Sequence, residues 1–118
     1  MLNIDHIVRH YLVAALWSST DEHGEPLDHA YDLDSIAAET RQAARRDCAD
    51  FVNANQTLLI DSGIPEEQIG HDFWLTRNGH GAGFWDRGLG DIGQALTEQC
   101  RPYGEVNLYV GDDGLVHA

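Results

Sequence analysis

Up to about residue 63 the apolar residues of this chain recur with a helical period, and beyond it they fall into short alternating runs broken by glycine. That change constrains the fold more than any other feature, because periods of 3.6 and 2 residues are buried by different backbones. Ile4, Ile7, Val8, Tyr11, Leu12, Ala15 and Leu16 lie at i, i+3, i+4 spacing and predict an amphipathic helix. Asn3 suits its N-cap, and Asp5 suits the positive end of its dipole. A second, longer helix is predicted from near Asp34, with Ile36, Ala43, Ala44, Cys48, Phe51, Val52, Asn55, Leu58 and Leu59 along one face. Gly63 and Pro65 end it.

The second half reads differently. Phe73 and Leu75 alternate with Trp74 and Thr76, the stretch from Arg77 to Gly83 supplies a glycine-rich turn, and Phe84-Trp85 reads as the return strand. A short helix from about Gly90 to Arg101 follows, ended by Pro102. Val106, Leu108 and Val110 then alternate with Asn107 and Tyr109, and Gly111 to Gly114 turns the chain into Leu115-Val116-His117. The expected fold is α+β: two N-terminal helices packed on a small, mainly antiparallel sheet of two hairpins with a helix between them. At 118 residues the chain has length for one domain, 1–118, with a helical half at 1–64 and a hairpin–helix–hairpin half at 70–118.

Charge narrows the partners. Twenty carboxylates face seven basic residues, all arginine, for a formal charge of −13. Such a field repels nucleic acid and anionic membranes and suits a basic protein surface, although acidic charge also serves solubility alone. The acids without basic neighbours lie in the connector after the first helix and in the helix that follows: Asp21, Glu22, Glu25, Asp28, Asp32, Asp34 and Glu39. These are the candidate partner-binding residues. No apolar run approaches the roughly 18 residues of a membrane span, and no signal-like segment opens the chain, so a cytoplasmic protein is expected. Cys48 and Cys100 are single and far apart, which fits reduced, packed thiols. A homo-oligomer is compatible with this reading.

An alternative site is the segment 70–88, where His71, Asp72, His80, Asp86 and Arg87 could converge across the expected hairpin, as in a small metal-dependent hydrolase or nuclease. Its chemistry is under-specified. Gly79, Gly81 and Gly83 lack the Lys-Ser/Thr of a phosphate loop, and His71 and His80 are nine apart with no Cys beside them for zinc. The competing reading has Asn78-Gly79 as the turn, the glycines at positive φ, and Phe73, Trp74, Phe84 and Trp85 packed as cross-strand aromatics. Asp112-Asp113-Gly114 has too few oxygen ligands nearby for a Ca²⁺ loop. No cofactor and no metal site is expected.

The stretch HDFWLTRNGHGAGFWDRG at 71–88, with LYVGDDG at 108–114, LWSSTDE at 16–22 and DCADF at 47–51, resembles a family of small phage and prophage proteins. The resemblance implies a viral or prophage origin and an accessory protein acting on a host machine. It carries no catalytic residues across. Joined to the charge, it gives the expected function: inhibition of a host nucleic-acid-handling defence system, of the CRISPR or restriction kind, by occupying a basic surface as a DNA mimic would. A structural phage protein is a further expectation.

Overall fold

The computed structural model describes residues 2–80 and 82–118. The described residues are mostly helical, with 63% of them in helix. Helix α1 spans Ile4–Ser18, α2 Ala38–Ala54, α3 Gln56–Ser62, α4 Glu66–Arg77 and α5 Asp91–Cys100. One hairpin of strands β1, Tyr109–Val110, and β2, Val116–His117, closes the chain.

The first helix forms where its pattern predicts. The Asn3 side chain accepts from the His6 amide at 3.3 Å, and Ile7, Val8, Tyr11, Leu12, Ala15 and Leu16 are buried. The second predicted helix is two. Short 3₁₀ turns at Leu27–His29 and Leu33–Ser35 precede α2, and the path breaks at Asn55, whose φ of −123° is not helical. The buried Asn55 amide group donates to the Phe51 carbonyl at 2.9 Å, satisfying the end of α2 at that break. Gly63, at φ 71°, ends α3 in the left-handed region.

The expected α+β architecture is overturned in the second half. Residues 73–76 are helix α4, not a strand, and Phe84–Asp86 is a 3₁₀ turn, not its return strand. Pro65 precedes α4, Glu66 and Glu67 occupy its first turn, and Arg77 its last, all placed to complement the dipole. The helical period is hidden because Ile69, Gly70, Asp72, Phe73, Trp74, Leu75 and Arg77 are all buried, leaving almost no polar face. Gly70 permits this: a Cβ there would lie 2.7 Å from the Tyr11 backbone nitrogen, so α1 and α4 touch backbone to backbone.

The expected cross-strand aromatic pairs do not form, because neither strand exists, and the rings find other partners. Phe73 stacks on Phe51 of α2, with ring centroids 4.3 Å apart, and Phe84 stacks on the same ring at 5.7 Å. Trp85, expected to pack across strands, is 53% exposed. Gly79 does have positive φ, 68°, but as the turn that leaves α4, and Gly83 at φ 155° lies against the Thr76 side chain. The expectation for Gly81 falls outside the described residues.

The last hairpin is present but short, pairing Tyr109 with His117 and Val110 with Val116. β2 also meets the segment before α2, where the Ala37 amide donates to the Val116 carbonyl at 2.9 Å. One apolar core draws on both halves, from Ile7 and Phe51 to Leu96 and Val116. Cys48 and Cys100 are buried free thiols within it. Burial raises both pKa values, that of Cys100 to about 12, so neither is a ready nucleophile. Among the described residues no helix is long and apolar enough to cross a membrane.

Candidate functional site

After Ser18 the chain folds back on itself. Thr20 bridges Pro26 antiparallel, the Asp21 amide donates to the Glu25 carbonyl at 2.9 Å, and buried Leu27 pins the loop to the core. The Asp21 carboxylate accepts from the Glu25 and His23 amides at 3.0 and 2.8 Å. Those hydrogen bonds, the Glu25 one foremost, hold its pKa below the usual carboxylate range. Asp32 caps the second 3₁₀ turn in the same manner: it accepts from the Asp34 and Ser35 amides, and the Ser35 hydroxyl closes a capping box.

The other connector acids face solvent. The Glu22 and Glu25 side chains are 87% and 66% exposed and approach only His23 and His29. Asp28, Asp34 and Glu39 are exposed on the two 3₁₀ turns and the first turn of α2. Among the described residues none of the seven is ion-paired to an arginine. Three of the chain's arginines are instead held elsewhere: Arg45 by Asp5, Arg77 by Asp47 and Arg87 by Asp72.

A groove runs between this connector and the C-terminal segment. Its wider end, about 580 Å³, has Asp21, Glu22 and Tyr31 on one wall and Leu108, Val110 and Asp112 on the other. A smaller cavity of about 280 Å³ adjoins it at Thr20 and Leu108 and is lined by Ser19, His80 and Glu105. The hairpin wall is fixed by Asp113, which accepts from the Leu115 amide at 2.9 Å and meets His117 Nε2 at 3.0 Å.

The alternative site is not assembled. Asp72, expected to face a hairpin, is fully buried on α4. Its carboxylate accepts from Arg87 Nη2 at 2.8 Å, from Arg87 Nε at 3.2 Å and from the Gln68 amide at 2.8 Å. Those bonds pair it internally and tie the loop after Phe84 to the helix. His71 packs toward α1, 6.1 Å from the His10 ring and 6.4 Å from the Trp17 ring. Burial lowers its pKa, which favours the neutral ring in the fold. His80 is exposed at the smaller cavity, and Asp86 is exposed on the 3₁₀ turn. The structure thus brings Arg87 to Asp72 but places neither His80 nor Asp86 in hydrogen-bond contact with that pair among the described residues. No group of three or more His, Cys, Asp or Glu among the described residues is placed to hold a metal ion.

Two clusters are not foreshadowed by the sequence patterns. Arg77, with only 3% of its side chain exposed, donates to the Tyr11 hydroxyl, Asp47 and the carbonyls of Tyr103 and Gly104, joining α1, α2, α4 and the turn after α5. His6, His10 and His71 form a row across the α1–α4 seam, with His6 and His10 rings 4.8 Å apart. The i, i+4 spacing of His6 and His10 was the available signal, but His71 joins them only once α4 is a helix. Comparisons with protein-family models, curated proteins and solved structures return no match to this chain.

Proposed function

We propose that the chain is an acidic binding protein that occupies the basic, nucleic-acid-binding surface of another protein, and so inhibits it. One observation carries this reading: among the described residues seven consecutive acids of the sequence, Asp21 to Glu39, have no arginine partner on exposed or groove-lining surface, while three of the seven arginines are taken up by Asp5, Asp47 and Asp72. Carboxylates held in fixed turns, as Asp21 and Asp32 are, lose less freedom on meeting a cation than carboxylates on a mobile tail. Their field steers a basic surface toward them and repels DNA from the same place.

A phage origin, carried by the sequence resemblance alone, makes a host defence nuclease of the CRISPR or restriction kind the target in this proposal and the host cytoplasm its compartment. An enzyme built on His71, His80 and Asp86 has less support, since no hydrogen bond or ion pair among the described residues brings the three together and Asp72 beside them is paired to Arg87 and Gln68.

The test is competition for DNA. Purified defence nucleases carrying a labelled duplex are titrated with the protein and with a variant in which the seven acids are changed to their amides. Asn at 21 and 32 keeps the oxygen acceptor that caps each turn, so the variant retains its local fold. The wild-type chain releases the duplex and the variant does not. Equal release by both would exclude the acidic surface as the inhibitory element.

A further inference from the structure

The groove wall formed by residues 105–110 ends in the short strand β1, Tyr109–Val110, whose outer edge is unpaired among the described residues. In the hairpin, the Gly111 amide donates to the Leu115 carbonyl at 2.9 Å, so Gly111 and Leu115 are a hydrogen-bonded pair. Such pairs alternate along an antiparallel ladder. Tyr109 and His117 are therefore the next hydrogen-bonded pair, whereas Val110 and Val116 turn their amides and carbonyls away from each other. The Val116 carbonyl shows this directly, since it accepts from Ala37 on the far side of β2. On β1 the groups turned outward are those of Val110, and Leu108, in the segment just before the strand, holds the next position of the same alternation.

Both residues line the groove. Among the described residues no hydrogen bond reaches their amides or carbonyls, while the Val106 amide, next in the same alternation, is taken by the Asn78 side chain at 2.8 Å. The edge thus begins where Asn78 ends it, and it stays open along Leu108 and Val110. Exposed edges are ordinarily paired, covered or blunted. This one faces a groove whose charged walls are Asp21, Glu22, Glu105 and Asp112, with Tyr31 beside them.

We propose that this groove takes an extended, basic peptide segment of the partner, which adds a strand to the free edge of β1. Backbone bonds to Leu108 and Val110 would supply register, and alternate arginine or lysine side chains would reach the carboxylates. The inference rests on the reading of the chain as a partner for basic surfaces and says which element does the docking. The strong negative charge of the chain argues against a second copy of itself as the occupant.

The probe is a synthetic peptide alternating arginine with valine, compared with the same peptide methylated on its backbone nitrogens, which keeps the charge and removes the donors. Strand addition predicts that methylation weakens binding by about tenfold or more, and that the unmethylated peptide slows hydrogen exchange at the Leu108 and Val110 amides. Equal binding of both peptides, without protection of those amides, overturns the strand addition and leaves the basic-partner reading standing. Binding of neither peptide overturns both. Dimerisation of the free protein with protection of the same amides would assign the edge to a second copy and overturn the peptide proposal.

Discussion

Arg77 on α4 donates to Asp47 on α2 at 2.9 Å, and the same nitrogen reaches the Tyr11 hydroxyl on α1 at 3.0 Å. The guanidinium also lies over the Phe73 and Tyr103 rings, 5.5 and 5.7 Å from their centroids. One buried cation thereby orders three helices and the turn after α5. Changing Arg77→Ala leaves a hydroxyl, a carboxylate and two carbonyls without their donor. The expected cost is about 3 kcal/mol, below the top of the range for a buried pair because a third of the Asp47 side chain stays wet. Denaturant unfolding measures it, and a loss under about 1 kcal/mol would show the network to be dispensable.

Gly70→Ala tests the α1–α4 contact. The new methyl would meet the backbone of Ile7 and Tyr11, which cannot swing aside as a side chain can. Overpacking of this kind costs about 1–3 kcal/mol, and here the upper end is expected. A thermal midpoint equal to that of the wild type would mean that the two helices lie further apart.

The histidine row makes stability depend on pH. His10 has its pKa lowered by burial and then by His6 and His71, with Glu67 opposing and Arg9 assisting. His71 is lowered by burial and by Arg87, against Asp72. Both therefore bind a proton more readily in the unfolded chain than in the fold. Their contribution is fully present above the ordinary value of 6.5 and is lost as pH falls below it. The melting temperature should drop between pH of about 7 and 5, and His10→Gln with His71→Gln should flatten that drop. An unchanged slope in the double variant would remove the row as its cause.

His80 is expected to matter little to the fold. Its side chain is exposed beyond the end of α4, and His80→Ala should change unfolding free energy by less than about 0.5 kcal/mol. If that variant folded normally, bound a basic peptide normally and still lost all inhibition, catalysis at the groove would replace occlusion as the explanation.

What the sequence made legible followed from one-sided burial. The α1 stripe, the Asn3 cap, the helix ending at Cys100 and the closing hairpin each bury one face and leave the other wet, so their periods are readable. α4 is buried on nearly all sides, and within it Phe73-Trp74-Leu75 fits a strand as well as a helix. Reading it as a strand places Asp72 and Arg87 on a hairpin that does not form, although they do meet, 15 residues apart, through the helix and the turn at Phe84. The break at Asn55 carries no glycine or proline to announce it. The exposed acids were legible from composition because the connector holds no arginine to pair them, whereas the open edge at Leu108 and Val110 depends on which carbonyl β2 turns toward Ala37.

The central claim is that the acids from Asp21 to Glu39 bind a cationic surface, and the salt dependence of peptide binding tests it most directly. The dissociation constant for the arginine–valine peptide is measured as salt rises from roughly 0.05 to 0.5 M, for the wild-type chain and for the seven-amide variant. The account predicts a weakening of about tenfold or more for the wild type and a nearly flat, weak response for the variant. Affinity that stays constant with salt, or equal slopes for the two proteins, would contradict it.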